Sequence, residues 1–514
     1  MPNSNPVEQL RAILGEIIDL ERIAGLLGWD QQTMMPPRGG ASKARQRATV
    51  ALIAHERLVG NDVRRLIDEA AEATQSDEYT SLERSLVRVT RRDHEKERRV
   101  PKELAAEMSA AASSAHETWV QARATSDFEL FLPSLENGVE LRRRYIECFE
   151  GADHPYDYLI DDYEPGMTTA AVQEIFADLR EGLVPLVEAI RESDSAPDAS
   201  LVHQNYPVEG QVAFVEQVLK WLGFDENSWR LDTVVHPFAL RVGMDDIRIT
   251  TRYSDDYLPA GIFGAMHEFG HGLYEAGVSV DLDRTPLGRL SSLGLHESQS
   301  RMWENLVGRS REFWQFAFPT LEQAFPEQLA GANADDFYRA INRVDPSLIR
   351  VEADEVTYNL HIILRFELEL ALAEGTLAAR DLPEAWNERV QEYLGIDVPD
   401  DAQGVLQDPH WCFGFGYFPT YALGNLVAAQ LWRRISEEIP DVSPQIASGN
   451  FQPLREWLVE NVHARGSTLT LSEALDTVLG EQLSAQPYLD YLSAKFGSLY
   501  ALSGKPEAQT TPRR

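Results

Sequence analysis

The chain has 514 residues, 82 acidic against 47 basic, for a net charge of −35. Phosphate recognition needs a basic footprint, so this balance excludes nucleic acid as the partner. No apolar run reaches the roughly 18 residues of a membrane span, and two distant cysteines, Cys148 and Cys412, give neither a disulfide framework nor a cysteine-ligated zinc.

Only six of the basic residues are lysine. An acidic, lysine-poor surface repels itself at low salt and is screened at high salt, which suits either a high-salt cytoplasm or an arginine-rich coding background. The opening residues Met1–Pro6 lack a basic stretch followed by a hydrophobic one, so no secretory signal is expected and the location reads as cytoplasmic.

In chain order, Asn5-Pro6-Val7-Glu8 reads as an N-cap, a proline at the first helical position and a capping-box glutamate. Leu10, Ile13, Leu14, Ile17 and Ile18 follow at helical spacing, and the predicted helix runs toward Gly28. Pro36 and Pro37 forbid its continuation. From Ala41 to about Glu192 the pattern is mostly helical, with breaks near Gly60, at Val100-Pro101 and over Gly151–Pro155. Ser193–Tyr206 reads as a polar surface loop, and a helix is predicted from about Glu209 to Leu222. Residues 229–253 change period, with Val234, Val235, Ile247, Ile249, Thr250 and Thr251 forming the clearest strand signal of the chain. Helices resume to about Ala501, and 504–514 reads as a disordered tail. With no repeat and no low-complexity insert, a mainly α single catalytic domain over 1–503 is expected, with a small β-sheet beside the helix described next.

That helix holds Gly264-Ala-Met-His267-Glu268-Phe-Gly-His271-Gly-Leu-Tyr274. Residues i and i+4 lie one turn apart on one helix face, so both imidazoles can reach one ion. Glu268 is turned about 100° from that line, within reach of a water on the ion without ligating it. Two neutral nitrogen ligands, an open position and a carboxylate base form the zinc-hydrolase arrangement. Gly270 and Gly272 weaken the helix and are expected to admit another backbone or the substrate.

A catalytic zinc needs a third protein ligand, and Leu295-His296-Glu297-Ser298-Gln299-Ser300-Arg301-Met-Trp-Glu304 is the best source. Glu297, 26 positions after His271, leaves room for a loop and entry into a second helix. Glu304 and Glu275 are rivals, either of which could hydrogen-bond a histidine ligand from behind. Ser300 and Arg301 are placed to brace Glu297.

His267-Glu-Phe-Gly-His271 followed by His296-Glu-Ser-Gln-Ser-Arg301 resembles the thermostable-carboxypeptidase (carboxypeptidase Taq) family of HExxH zinc metallocarboxypeptidases. Further motifs carry the likeness: His236-Pro-Phe238, Asp246-Ile-Arg248-Ile-Thr250, Ile349-Arg350-Val-Glu-Ala-Asp354 and Gly404-Val-Leu-Gln407-Asp408-Pro-His410-Trp411. Trp29-Asp30-Gln31 with Met35-Pro36 resembles the family's N-terminal segment. The resemblance implies a helical cleft-forming fold, with the part to about residue 192 on one side of the cleft. It implies metal-dependent release of single C-terminal amino acids with broad specificity, one zinc (or cobalt) ion per chain, and a homodimer. The ligands would be His267, His271 and Glu297, with Glu268 assisting attack by a metal-bound water.

A carboxypeptidase must recognise a free α-carboxylate, for which arginine's planar fork is suited. Arg248, on the predicted strand, is the first candidate and Arg350 the second, each with an ion-pair alternative, to Asp246 and Asp354 respectively. The strand 247–253 could bind a peptide by edge pairing. His236 either contacts substrate or caps the strand, and Gln407 joins the substrate-binding candidates. His410, Tyr417 and Tyr421 are candidate donors to the oxyanion, as in related helical zinc peptidases. The rival readings are a metallo-endopeptidase or dipeptidyl carboxypeptidase of related fold, and a silent peptide-binding scaffold.

Overall fold

The computed structural model describes residues 5–502, so the predicted tail 504–514 lies outside the described residues. The Asn5 side chain accepts the Val7 N–H at 3.0 Å and starts the helix Pro6–Thr33. This helix passes Gly28 and Trp29, further than the sequence predicts. A proline ring blocks the carbonyl four residues back, which for Pro36 is Gln32, so nothing stops the helix earlier. The breaks at Gly60 and Val100-Pro101 separate helices Gly40–Leu58 from Asn61–Ala73 and Leu82–Arg99 from Lys102–Thr125. An unforeseen break falls at Ser126, whose φ is 52°, and Asp127 caps the next helix, Phe128–Ile146.

Three strands follow, β1 (Trp229–Thr233), β2 (Ala239–Gly243) and β3 (Asp246–Thr251), in the order β1-β3-β2. β3 pairs parallel with β1, Arg230 opposite Arg248, and antiparallel with β2, Leu240 opposite Arg248. β3 is therefore central and its hydrogen bonds are spent on both sides, which corrects the expectation that it pairs with a peptide; the sheet's edges are β1 and β2. Side chains alternate across a strand, so buried Ile247 and Ile249 face one way and Arg248 the other.

The isoleucine face meets the histidine helix, Pro259–Gly277, and here the glycines decide the spacing. A Cβ at Gly272 would lie 2.5 Å from the Trp229 ring and 3.1 Å from Ile247. One at Gly270 would lie 2.4 Å from the backbone oxygen of Gln299, in the next helix, Leu293–Arg301. Packing, not substrate approach, is what these glycines serve. The glutamate helix Leu293–Arg301 rests in turn on the long helix Pro419–Glu438, where a Cβ at Gly424 would lie 2.5 Å from Glu297 Cγ.

Apolar side chains gather in three clusters. One joins residues 115–190 to 338–429 and 485–500, a second joins 202–341 to 427–479, and a third packs 7–89 against 278–287. The helical part up to residue 192 is thus divided between the first and third. The long helix Pro419–Glu438 spans the first two, with Leu423 and Leu426 in one and Val427 and Leu431 in the other.

His463 is fully buried, its Nε2 2.8 Å from Gln299 Oε1, under the histidine helix at Gly277. Burial pushes its imidazole down to about 3. The unfolded imidazole titrates near ~6.5, so below that pH the unfolded chain binds a proton the folded chain refuses. Stability is full above ~6.5 and falls as pH drops toward 3. Between pH 7 and pH 5 this one group should cost about 2 kcal/mol. Urea midpoints of His463→Gln should accordingly fall less steeply over that interval than those of the parent; parallel slopes would mean the imidazole is not held neutral.

Candidate metal and peptide site

One turn of the histidine helix aims both imidazoles at the glutamate helix. His271 Nε2 lies 3.3 Å and His267 Nε2 3.6 Å from Glu297 Oε2, and the three donor atoms lie within 4.8 Å of one another. A tetrahedral ion with bonds of about 2.0–2.1 Å has ligand-to-ligand edges of about 3.3–3.4 Å. Both histidine–glutamate separations fit that figure, and two imidazoles with one carboxylate are a donor set of catalytic zinc.

Behind this triad the helix Leu293–Arg301 continues as a π-helical turn, Met302–Val307. It carries Glu304 to His267, whose Nδ1 lies 2.8 Å from Glu304 Oε2. Glu304 thereby fixes the imidazole from the back and leaves Nε2 for the ion. Glu275, the other rival, lies 3.5 Å from Arg241 and 3.9 Å from His296, outside the donor triad. Arg301 reaches both carboxylates, Glu297 at 2.7 Å and Glu304 at 3.2 Å, and Ser300 Oγ donates to Glu297 at 3.0 Å. Burial alone would raise Glu297, but Arg301 and the imidazoles hold it well below the usual carboxylate range. Glu304, by the same opposition of burial and Arg301, comes down to about 2. Both therefore stand ionised.

Glu268 differs. It is 5% exposed, its Oε2 is buried without a partner, and burial raises its carboxyl above the usual range. A carboxylate beside the triad, unpaired and more basic than normal, is equipped to take a proton.

From the triad a chain of cations and rings leads to the second candidate group. Arg301 stacks on the Tyr358 ring, 4.4 Å from its centroid, and Tyr358 OH accepts from Arg350 Nη1 at 3.3 Å. Arg350 grips Asp408 through Nε at 3.1 Å and Nη2 at 2.8 Å. Its ion-pair partner is thus Asp408, not Asp354, whose carboxylate accepts from the hydroxyl and backbone of Thr357. Of five guanidinium donors, three are engaged, and one N–H on each terminal nitrogen has no partner among the described residues. The guanidinium also lies over the Tyr421 ring, 5.0 Å from its centroid.

Tyr421 OH is 3.4 Å from His410 Nε2, and the Tyr417 and Tyr421 rings meet edge-on at 5.2 Å. Burial raises both tyrosines, and the Glu297 charge raises them further, so all three groups share one electrostatic environment. Burial lowers His410 despite Asp408, whose Oδ1 lies 3.6 Å from His410 Nδ1. The imidazole is neutral and able to donate one N–H.

Three other candidates stand apart. Arg248 makes the bidentate pair with Asp246, at 2.8 Å through each of two nitrogens, and stacks on Trp29 at 4.6 Å. Its sheet face points away from the histidine helix, so the structure does not bring it to the triad. Gln407, expected at the substrate, is instead spent within the protein. Its oxygen accepts from Arg350 N and Arg365 Nη2, and its nitrogen donates to the Leu348 and Gln403 carbonyls. That exhausts its hydrogen-bonding capacity. His236 is exposed on the loop between β1 and β2, whose far end is pinned by Thr250 through Phe238.

Tyr358, Arg365 and Asp408 were not singled out as site residues. The signal for part of this was present: His361, Arg365 and Glu369 recur every four residues in a stretch that, Glu367 apart, is apolar, a polar stripe that a buried helix does not carry without partners.

A family model described as carboxypeptidase Taq (M32) metallopeptidase matches residues 9–496. The chain is 43% identical over 491 residues to thermostable carboxypeptidase 1 of Thermus thermophilus, covering 94% of this chain and 96% of that protein. Among solved structures, the M32 carboxypeptidase of Deinococcus radiodurans R1 matches with a TM-score of 0.93 at 40% identity, over 97% of this chain and 100% of that one. Trypanosoma cruzi metallocarboxypeptidase 1 matches with a TM-score of 0.91 at 33% identity, over 96% and 99%.

Proposed function

The chain belongs to the carboxypeptidase Taq (M32) family and is a metallocarboxypeptidase, a peptide hydrolase, and from that premise we propose that it releases single amino acids from peptide C-termini with broad specificity. The observation that carries the reading is the continuous path Glu297–Arg301–Tyr358–Arg350, which joins the candidate metal triad to an arginine with one unengaged N–H on each terminal nitrogen among the described residues.

His267, His271 and Glu297 hold one zinc ion, which cobalt can replace. When bound, the ion supplies Lewis acidity toward water and the scissile carbonyl. Glu268 takes the proton of the attacking water and returns it to the leaving amine, a role its raised pKa serves. The N–H of His410 and the hydroxyls of Tyr421 and Tyr417 are the groups available to the developing oxyanion. Arg350 receives the terminal carboxylate bidentately, ahead of Arg248, whose guanidinium is committed to Asp246 and Trp29. His236 remains a candidate for contact further along the peptide. The enzyme works in the cytoplasm as a homodimer, which light scattering would read. Both cysteines are unpaired, and among the described residues no helix is long and apolar enough to cross a membrane.

An N-blocked peptide and its C-terminally amidated twin test the assignment. The free acid should shorten one residue at a time, and the amide should resist. Equal cleavage of both would identify an endopeptidase, and steps of two residues a dipeptidyl carboxypeptidase.

A further inference from the structure

Two buried glutamates outside the catalytic set, Glu164 and Glu369, lie at the two ends of one segment, residues 156–166, which contains the short helix Asp157–Ile160. At one end the segment holds the start of the helix that delivers Glu297. Leu293 N donates to the Tyr163 carbonyl at 3.1 Å, Ser292 Oγ donates to Glu164 Oε2 at 2.5 Å, and Gly294 N donates to Glu164 Oε1. Leu295 N is met by Ser292 Oγ at 2.8 Å, so the first three amides of the helix are all satisfied, two of them by residues 163 and 164. There is no slack: a Cβ at Gly294 would lie 3.0 Å from Glu164 Oε1 and 3.1 Å from Leu423. Glu297 follows one turn later.

At the other end the segment holds the loop that delivers the tyrosines. Tyr156 OH donates to Glu369 Oε1 at 2.5 Å, and Gly416 N donates to the same oxygen. Gly416 has φ 95°, and a Cβ there would lie 2.2 Å from the Leu159 carbonyl oxygen. Between the two ends, the Tyr163 ring meets Tyr417 edge-on at 5.0 Å. Among the described residues no cation forms an ion pair with either glutamate, and burial pushes Glu164 up to about 7 and Glu369 up to about 8. Such groups cost stability that apolar side chains of similar volume would not, which points to a geometric purpose.

We propose that residues 156–166 act as a clasp that sets the position of the metal ligand Glu297 against Tyr417 and Tyr421, with Glu164 and Glu369 as positioning residues at its ends. The clasp rests on the reading of Glu297 as metal ligand and of the tyrosines as oxyanion donors, and the two ends predict different defects. Glu164 uses a separate oxygen for each donor, but Ser292 Oγ can accept as well as donate, so Glu164→Gln can keep both contacts and Glu164→Leu removes them. Glu369 uses one oxygen for both, so Glu369→Gln preserves the bonds and Glu369→Leu removes them.

Apparent metal affinity, read by chelator competition, should fall about tenfold in Glu164→Leu and much less in Glu164→Gln, with a changed d–d spectrum of the cobalt-loaded Glu164→Leu protein. Glu369→Leu should keep the parental metal affinity and spectrum but lose about tenfold in kcat, and Glu369→Gln should restore it. Glu297→Ala is the control: if it keeps parental metal affinity, the ligand reading fails. If it loses metal while Glu164→Leu does not, the clasp fails alone, as it also does if Glu369→Leu weakens metal binding. Should either variant not accumulate folded, Tyr156→Phe removes one bond at one end, and Ser292→Ala at the other removes the bond to Glu164 together with the cap on Leu295 N. The same split at about threefold is expected of them, and no split overturns the proposal.

Discussion

Glu268→Gln is expected to lower kcat about 10³-fold while the protein keeps its metal. Glu268 lies one position past His267, turned off the ligand line, and contributes no atom to the donor triad. Its Oε2 is buried and without a protein partner, so the substitution severs no hydrogen bond there. An amide of the same shape in a buried position is also less costly than a carboxylate, whose ionised form burial disfavours. Melting temperature should therefore hold or rise as activity collapses. Metal content, kcat and melting temperature measured together check this. Undiminished turnover would mean another group takes the proton, and loss of metal would make Glu268 a ligand.

Glu297→Ala should do the reverse, emptying the site and weakening the fold. The triad loses its only anionic donor, and the loss should exceed the roughly 10–100-fold that an outer partner is worth. The same carboxylate is the closest partner of Arg301, at 2.7 Å, in a region where that guanidinium has little solvent. Breaking one side of a buried pair leaves a charge without compensation, at a cost of about 3–5 kcal/mol. Glu304, 3.2 Å from the same guanidinium, should keep the loss toward the lower figure. Chelator competition reads the first effect and denaturation of the metal-free protein the second. Parental stability would mean that Arg301 is held by other groups.

The candidate metal triad was legible because its chemistry is local: two histidines four apart report one helix face whatever surrounds them. Glu297 followed from ligand count and loop length. Sequence also placed the strand signal beside the histidine helix, but it could not say that β3 would be central, since strand order depends on pairings that leave no periodic trace. The partners of the arginines were illegible for a related reason. Arg350 has acidic Asp354 four residues on, yet Asp408, far along the chain, is the group the fold brings to it. Neighbours in sequence are the default guess for an ion pair; for Arg248 and Asp246 the guess is right, and for Arg350 it is wrong. Glu164 carried no signal of its own, because a buried glutamate is spelled like an exposed one until its surroundings are known; Glu369 had only the four-residue stripe it shares with His361 and Arg365.

Gly272, Gly270 and Gly424 sit between four successive layers: sheet, histidine helix, glutamate helix and long helix. At Gly270 backbone meets backbone, and at Gly272 and Gly424 the Trp229 ring and the Glu297 side chain fill the gap with no room for a Cβ, so the layers have little slack. Perpendicular to those layers the centre behaves as one stiff block, so a peptide cannot gain entry by prying them apart. The compliance that admits substrate and lets product go has to come from elements outside those four layers.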